Sequence, residues 1–300
     1  MAKLVRVSKK NVIYKFTPKM RAIGKAFPGD IIVFETMDCF GEQIRDENVR
    51  LDEIDWGKVN PATGPVYIEN VEPNDTLKVE ILSIKVNNPA VMAVAPGAGV
   101  LGNLKYNSKV KIVNIEKDFV VFNGLKVKIK PMIGVIGVAP REGEYPTGTS
   151  DIHGGNMDIA ELTVGTTIYF PVFVEGALLA LGDLHAVQAD GEICVTGAEA
   201  SGEVVVRVDV IRGVQPKYPV LETSNYYAII APGKDLDEAV YKATMEAVNV
   251  LKRKYGLSFE EAYMLASLIV NLRINQVVDP KKGVRAEIPK EYVSIEDFLS

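Results

Sequence analysis

The stretch Val110 to Ile129, VKIVNIEKDFVVFNGLKVKI, decides the fold class. Apolar and polar residues alternate along Val110 to Asn114, Phe119 to Phe122 and Leu125 to Ile129, and Asn123-Gly124 between the last two is a two-residue hairpin turn. Period-two alternation of this kind marks strands with one dry and one wet face. The seven lysines between Lys105 and Lys130 fall on the wet face, as in Lys109-Val110-Lys111-Ile112, so they read as a solvated sheet surface and not as a phosphate-binding patch.

Outward from this hairpin the same texture continues. Asp30 to Glu35, Thr76 to Val86, Ile133 to Val138, Ile168 to Val174 and Val204 to Arg212 are β-branched runs between Gly, Pro, Asn and Asp punctuation. The N-terminal MAKLVRVSKKNVIYKF reads as a first strand pair. Three strand lead-ins look alike, at Phe27 to Ile31, Glu72 to Thr76 and Leu162 to Thr166, each a turn that launches a strand. After Val214 the pattern changes. Gln215 to Pro219 is a connector, Val220 to Thr223 and Tyr226 to Ala231 are short strands, and two helices follow. The first spans about Asp237 to Tyr255 and stops at Gly256; the second opens on a capping box, Ser258 with Glu261. The expected class is α+β, predominantly β, with sandwich or barrel-like strands in 1–214 and a C-terminal α/β region of two helices in 215–300, packed on the first part or continuous with it.

With 300 residues, 47% hydrophobic and 24% charged, the chain has the balance of a globular protein and length for a large core. A net charge of -5 gives no footprint for nucleic acid. Ile168 to Leu181, the most apolar stretch, is interrupted by Pro171, Glu175 and Gly176, too early for a membrane span, and the start lacks the apolar run of a secretory signal. Two cysteines, Cys39 and Cys194, make no disulfide framework and fit a reducing compartment, with the cytoplasm as default.

Only two histidines occur, both in segments rich in Gly and Asp: Ser150 to Asp158, with His153-Gly154-Gly155-Asn156-Met157-Asp158, and Gly182 to Glu192, with Gly182-Asp183-Leu184-His185. On an extended chain Asp183 and His185 point the same way, about 6.5 to 7 Å apart at Cα, and can converge on one ion or water. Glu192 offers a carboxylate for proton transfer, Asn156 an amide donor for an oxyanion, and Asp158 a further ligand; Gln188 can donate and accept. Asp38, after a strand, is either another ligand or the cap of a turn. Cys39 has no histidine or lysine nearby to activate its thiol. The Gly97 to Gly102 run has a dinucleotide fingerprint's letters without its context, because Ala90 to Pro96 reads poorly as a strand and Asn103 to Ser108 poorly as a helix. Asn60 to Pro65 reads as a turn.

These motifs resemble the acetamidase/formamidase family, whose members hydrolyse short aliphatic amides to ammonia and a carboxylate. The resemblance rests on Asn60 to Pro65, Pro140-Arg141-Glu142-Gly143, His153 to Asp158, Tyr169-Phe170-Pro171-Val172, and Gly182 to His185 through Gln188 to Glu192. It departs at Ala189, where members often carry Gly. It implies a small amide substrate, a divalent metal, zinc or calcium, and a homo-oligomer with a dimer favoured.

Taken with the residues, this gives a scheme in which Asp38, Asp158, Asp183 and His185 hold the metal. Glu192 moves the proton, Asn156 steadies the oxyanion, and His153, Gln188, Asp190, Gly155 and Cys39 face substrate or support the site. The scheme expects both imidazoles and several carboxylates to line one hollow. Two alternatives stand beside it: a cysteine amidase acting through Cys39, and a non-catalytic ligand-binding β-protein with a structural calcium site.

Overall fold

The computed structural model describes residues 3–299. Two large sheets carry the chain. The first has nine strands in the order Leu4–Val7, Ile31–Thr36, Gly202–Ile211, Thr76–Val86, Thr167–Pro171, Val220–Glu222, Tyr226–Gly233, Lys282–Pro289 and Asn271–Gln276. The second runs Leu125–Lys128, Phe119–Phe122, Lys109–Glu116, Ala90–Val94, Glu199–Ala200, Leu179–His185, Met132–Gly137 and Gly154–Asn156, with Ala62–Ile68 branching from Leu179–His185. Neither closes into a barrel.

Fully buried Phe34, Ile81, Ile136, Phe170, Leu181 and Val206 come from alternate positions of strands in both sheets and form one core between them. On the outer face of the nine-stranded sheet lies α1, Leu236–Tyr255, capped by Asp235 and ended by Gly256 at φ 64°. Its Ala239, Ala243 and Ala247 are small enough to lie close against Tyr169, Tyr227 and Val284. The capping box at Ser258 and Glu261 opens α2, Phe259–Ile269. The strands of 215–300 extend the first sheet without a break, so that sheet crosses the 214/215 boundary.

Two of the three similar lead-ins share a device: Asp30 accepts the Phe27 amide at 2.8 Å and Asp75 accepts the Glu72 amide at 3.0 Å. At the third, Thr166 donates to the Thr163 carbonyl at 2.7 Å.

Three local expectations need correction. The N-terminal segment is not a strand pair: Leu4–Val7 pairs in parallel with Ile31–Thr36, whereas Val12–Ile13 pairs with Ala62–Ile68. Ala90–Val94 is a strand, because both of its edges find partners, Lys109–Glu116 and Glu199. The residues after Pro61 do not turn but start the Ala62–Ile68 strand, buried at every position but one and held by neighbours distant in sequence. Among the described residues no helix is long and apolar enough to cross a membrane.

Candidate active site

The Leu179–His185 strand enters the site between Met132–Gly137 and the two-residue strand Glu199–Ala200. Its last residues carry Asp183 and His185, both buried. His185 Nε2 lies 3.0 Å from Glu199 Oε2, 3.3 Å from Asp183 Oδ1 and 3.9 Å from Asp158 Oδ1. The Glu199 placement follows from register, since His185 and Glu199 are directly opposed across the two strands. Glu192 comes from the loop after His185, and one ligand atom each of Asp158, His185 and Glu192 lies within 4.8 Å of the others.

The backbone is strained where these carboxylates emerge. Asp158, Asp183 and Glu192 have φ of 46°, 55° and 48°, a region that L residues occupy only when their surroundings hold them there. One neighbour makes room: a Cβ at Gly134 would come within 2.6 Å of Asp158 Oδ1 and 2.7 Å of Asp183 Oδ2. Glycine at 134 is what lets two carboxylates approach the strand.

Burial dominates the electrostatics. It pushes Asp158 and Glu192 well above the usual carboxylate range, each further raised by carboxylate neighbours. Burial also raises Glu199 to about 7, against the pull of His185. Asp279, on the turn before Lys282–Pro289, rises to about 8 by burial, partly opposed by the Asn156 amide that donates to it at 2.8 Å. For His185 burial works against the charged form, yet Glu199 and Asp183 outweigh it and hold the imidazole protonated well above its usual range.

This donor set fits a divalent cation. Among the described residues, both oxygens of buried Asp158 and the Oδ1 of Asn156 have no hydrogen-bond partner, and no lysine or arginine lines the cavity to neutralise the carboxylates. The cation would take the place of protons that burial otherwise forces onto the cluster.

The sequence candidates divide clearly. Asp158, Asp183, His185 and Glu192 meet. Gln188 supports them: its Oε1 is 2.7 Å from His185 Nδ1 and its Nε2 donates to the Asp158 carbonyl at 2.9 Å. Asn156 reaches the cavity, but with its Nδ2 turned to Asp279 and its Oδ1 unpartnered it offers substrate an acceptor, where an oxyanion donor was expected. Asp38 is buried and raised to about 6 by burial; it accepts the Glu42 amide at 2.8 Å and so caps the turn after Ile31–Thr36.

His153 corrects the expectation of two imidazoles in one hollow. A turn closed by the Gly154 amide on the Asp151 carbonyl at 2.9 Å carries it, and Gly154 and Gly155, at φ 96° and 91°, then begin the short strand that ends at Asn156. Its ring packs between Phe16 and Tyr145, with centroids 5.1 and 4.8 Å away, off the cavity lining. Burial lowers its pKa to about 4, so it is neutral there. Gly155 is a backbone requirement, because a Cβ would meet the Thr149 carbonyl at 2.3 Å. Asp190 is also off the lining, forked by Arg285 at 2.9 and 3.1 Å. Cys39 lines the cavity, but burial and then Glu199 push its thiol well up, the opposite of an activated nucleophile.

Sequence reading did not single out Glu199 or Asp279, and it read Asn60 only as part of a turn. All line the same cavity of about 240 Å³, roofed by apolar side chains that include Phe40, Leu51 and Trp56. Glu199 is brought there by the register that sets it opposite His185, which no sequence pattern marks.

Known proteins match this chain along nearly its whole length. The profile described as the Acetamidase/Formamidase family matches residues 2–145 and 143–294. A formamidase of Methylophilus methylotrophus is 28% identical over 92% of this chain and 88% of its own. Among solved structures, an acetamidase from Bacillus halodurans superposes with a TM-score of 0.94 at 42% identity, covering 98% of this chain and 99% of that one. A protein of Thermoanaerobacter tengcongensis described as a predicted acetamidase/formamidase gives 0.94 at 44% identity, over 99% and 98%.

Proposed function

This chain belongs to the acetamidase/formamidase family and is an amidohydrolase acting on amide C–N bonds, and from that premise we propose that it cleaves short aliphatic amides with water at the His185 cluster. One observation carries the reading: Asp183, Glu192, Glu199 and Asp279 line the floor of a cavity whose other walls are largely apolar, and directly behind that floor lie His185 and Asp158, whose two carboxylate oxygens have no hydrogen-bond partner among the described residues. Such a floor can hold a cation and move a proton, and such walls exclude bulk water.

His185, Asp158, Asp183 and Glu199 are the residues that would hold a divalent ion, the imidazole nitrogen favouring zinc over calcium, whose ligands are oxygens. When bound, it would supply Lewis acidity toward the amide carbonyl and make water acidic enough to lose a proton near neutral pH. Glu192, raised by burial, takes the proton of the attacking water and passes it to the amide nitrogen as the C–N bond breaks. Asn156 Oδ1 accepts an N–H of the substrate and orients its nitrogen toward the acidic floor. Gln188 keeps His185 in place.

The test is ammonia release from formamide and acetamide, with and without chelator, by the wild type and by Glu192→Gln. We expect turnover that chelator abolishes and a loss of about 10² to 10⁴ in kcat for the variant. Absence of turnover across a panel of amides rejects the reading, and full activity of Glu192→Gln removes its proton step. A cysteine route predicts instead that alkylation of Cys39 inactivates and chelators do nothing; the raised thiol pKa argues against it.

The homodimer and cytoplasmic expectations belong to this proposal too. Tyr263, Met264 and Leu268 are exposed on α2, and Asn271–Gln276 is an edge strand, surfaces that a second copy would cover. Sedimentation checks the first. The two free thiols agree with a reducing compartment.

A further inference from the structure

The floor of the cavity is acidic, but most of its wall is not. Phe40, Leu51, Trp56 and Val59 come from the 36–60 segment, and Ala95 and Val195 face the same space. Small side chains keep it open: Ala93, Ala95 and Ala98, on and just after the Ala90–Val94 strand, stand where larger residues would fill the volume.

Size then decides what suits it. A cavity of about 150 Å³ accommodates benzene, and a water takes a share of about 30 Å³. At about 240 Å³ this cavity holds two waters over the carboxylates and still has room for a benzene-sized group. Formamide and acetamide would leave most of the apolar wall facing trapped water, which gains nothing there, since a buried water needs several polar partners.

We propose that the wall formed by Phe40, Leu51, Trp56, Val59, Ala95 and Val195 is an acyl pocket that selects primary amides with an apolar acyl group of four or more carbons, aliphatic or aromatic, over formamide and acetamide. This rests on the amidohydrolase reading and shifts the preferred substrate from the smallest amides to those with a larger acyl group. The carboxamide points to the carboxylate floor, where Asn156 Oδ1 takes an N–H, and the acyl chain lies along the wall toward Trp56. Trp56 is half exposed at the rim, tied by its indole N–H to the Leu51 carbonyl at 3.0 Å, so one face of the ring is fixed against the space.

The experiment compares kcat/KM for formamide, acetamide, butyramide and benzamide. Each buried methylene is worth about fourfold, so butyramide should exceed acetamide by roughly tenfold or more, with benzamide at least equal to butyramide. Two variants locate the effect. Ala95→Phe fills the pocket, and Trp56→Ala, at an exposed position that folding tolerates, removes its rim; each should cut the ratio of butyramide to acetamide by about tenfold. Hydrolysis of formamide and acetamide with butyramide and benzamide slower overturns the acyl pocket and leaves the amidohydrolase reading intact. A ratio unmoved by both variants also overturns the pocket. No hydrolysis of any of the four overturns both.

Discussion

Gln188 determines which nitrogen of His185 faces the carboxylates. Its Nε2 donates to the Asp158 carbonyl at 2.9 Å, which leaves its Oε1 as the group 2.7 Å from His185 Nδ1. An amide oxygen only accepts, so Nδ1 carries a proton and Nε2 is directed at Glu199, Asp183 and Asp158. Gln188→Leu keeps the volume and removes both hydrogen bonds. We expect divalent-metal affinity to fall by about ten- to a hundredfold, with activity recovered at high metal concentration. Metal-buffered titration reads it; an unchanged affinity would show that the imidazole needs no such anchor.

Gly134 makes a sharper case. A methyl group there would sit 2.6 Å from Asp158 Oδ1 and 2.7 Å from Asp183 Oδ2, and the Asp183 carbonyl is 2.9 Å away on the same side. Since φ at Gly134 is not in the left-handed region, alanine suits the local backbone and the conflict is with the two carboxylates and the Asp183 carbonyl. Gly134→Ala should fold, with a far-ultraviolet circular dichroism spectrum like the wild type, and lose about a hundredfold or more in kcat/KM. Retained activity would mean that the two carboxylates can separate without cost.

These two residues show what could be read from sequence and what could not. Period-two alternation located most of the strands, because a half-buried pleat imposes it directly on the chain, as in Phe119–Phe122 and Thr76–Val86. The reading that Asp183 and His185 converge is right, with Nε2 and Oδ1 3.3 Å apart, though for a different reason: Asp183 is left-handed and not extended, and its neighbour across the strand is Gly134. Glu199 and Asp279 were not legible. Glu199 is set opposite His185 by a two-residue strand too short to show a period, Asp279 sits on the turn of a hairpin that meets the Glu192 loop through the Gly191–Gln276 bridge, and a lone acidic residue carries no period of its own. His153 was misplaced because glycines at 154 and 155 permit turns whose direction composition does not specify.

Arg285 ties the C-terminal strands to the loop that carries Glu192. The side chain is fully buried and bonds Asp190, Glu287, Asn275 and the Ile274 carbonyl, with Glu161 at 2.9 Å. Gly191 adds to this by donating to the Asn275 carbonyl at 2.8 Å, next to Glu192 in the chain. Arg285→Met removes the cation shared by three carboxylates, but Arg273 remains 3.2 Å from Glu287 and Lys130 3.7 Å from Glu161, so the cost should fall below the value of about 3 to 5 kcal/mol for a buried charge left wholly unpaired. Urea unfolding should show that loss. Arg285→Lys should recover only part of it, since a point charge cannot reproduce the fork on Asp190. A loss within experimental error for Arg285→Met would show that solvent screens the network.

The carboxylate cluster makes the metal-free protein sensitive to pH in a direction opposite to ordinary acid unfolding. Burial, first among the causes, raises Asp38 to about 6, Glu199 to about 7 and Asp279 to about 8, all above an unfolded value of about 4. Between the unfolded and folded values the native state binds more protons than the unfolded one, so stability falls as pH rises. Their contribution is complete below about pH 4 and is lost through the range 6 to 8. His153 acts the other way, because its folded value near 4 lies below the unfolded value of about 6.5, and the stability it contributes above about 6.5 is lost as pH falls toward 4. The two trends oppose each other in mild acid, and above pH 6.5 the carboxylates remain together with His185, whose raised value acts in the same direction as theirs. Chelator-treated protein should therefore have a lower urea midpoint at pH 8 than at pH 6.5, and added zinc should remove most of the difference, because a bound cation stands in for the lost protons. A midpoint that rises from pH 6.5 to 8 without metal would mean that the carboxylates are already ionised and solvated in the folded protein.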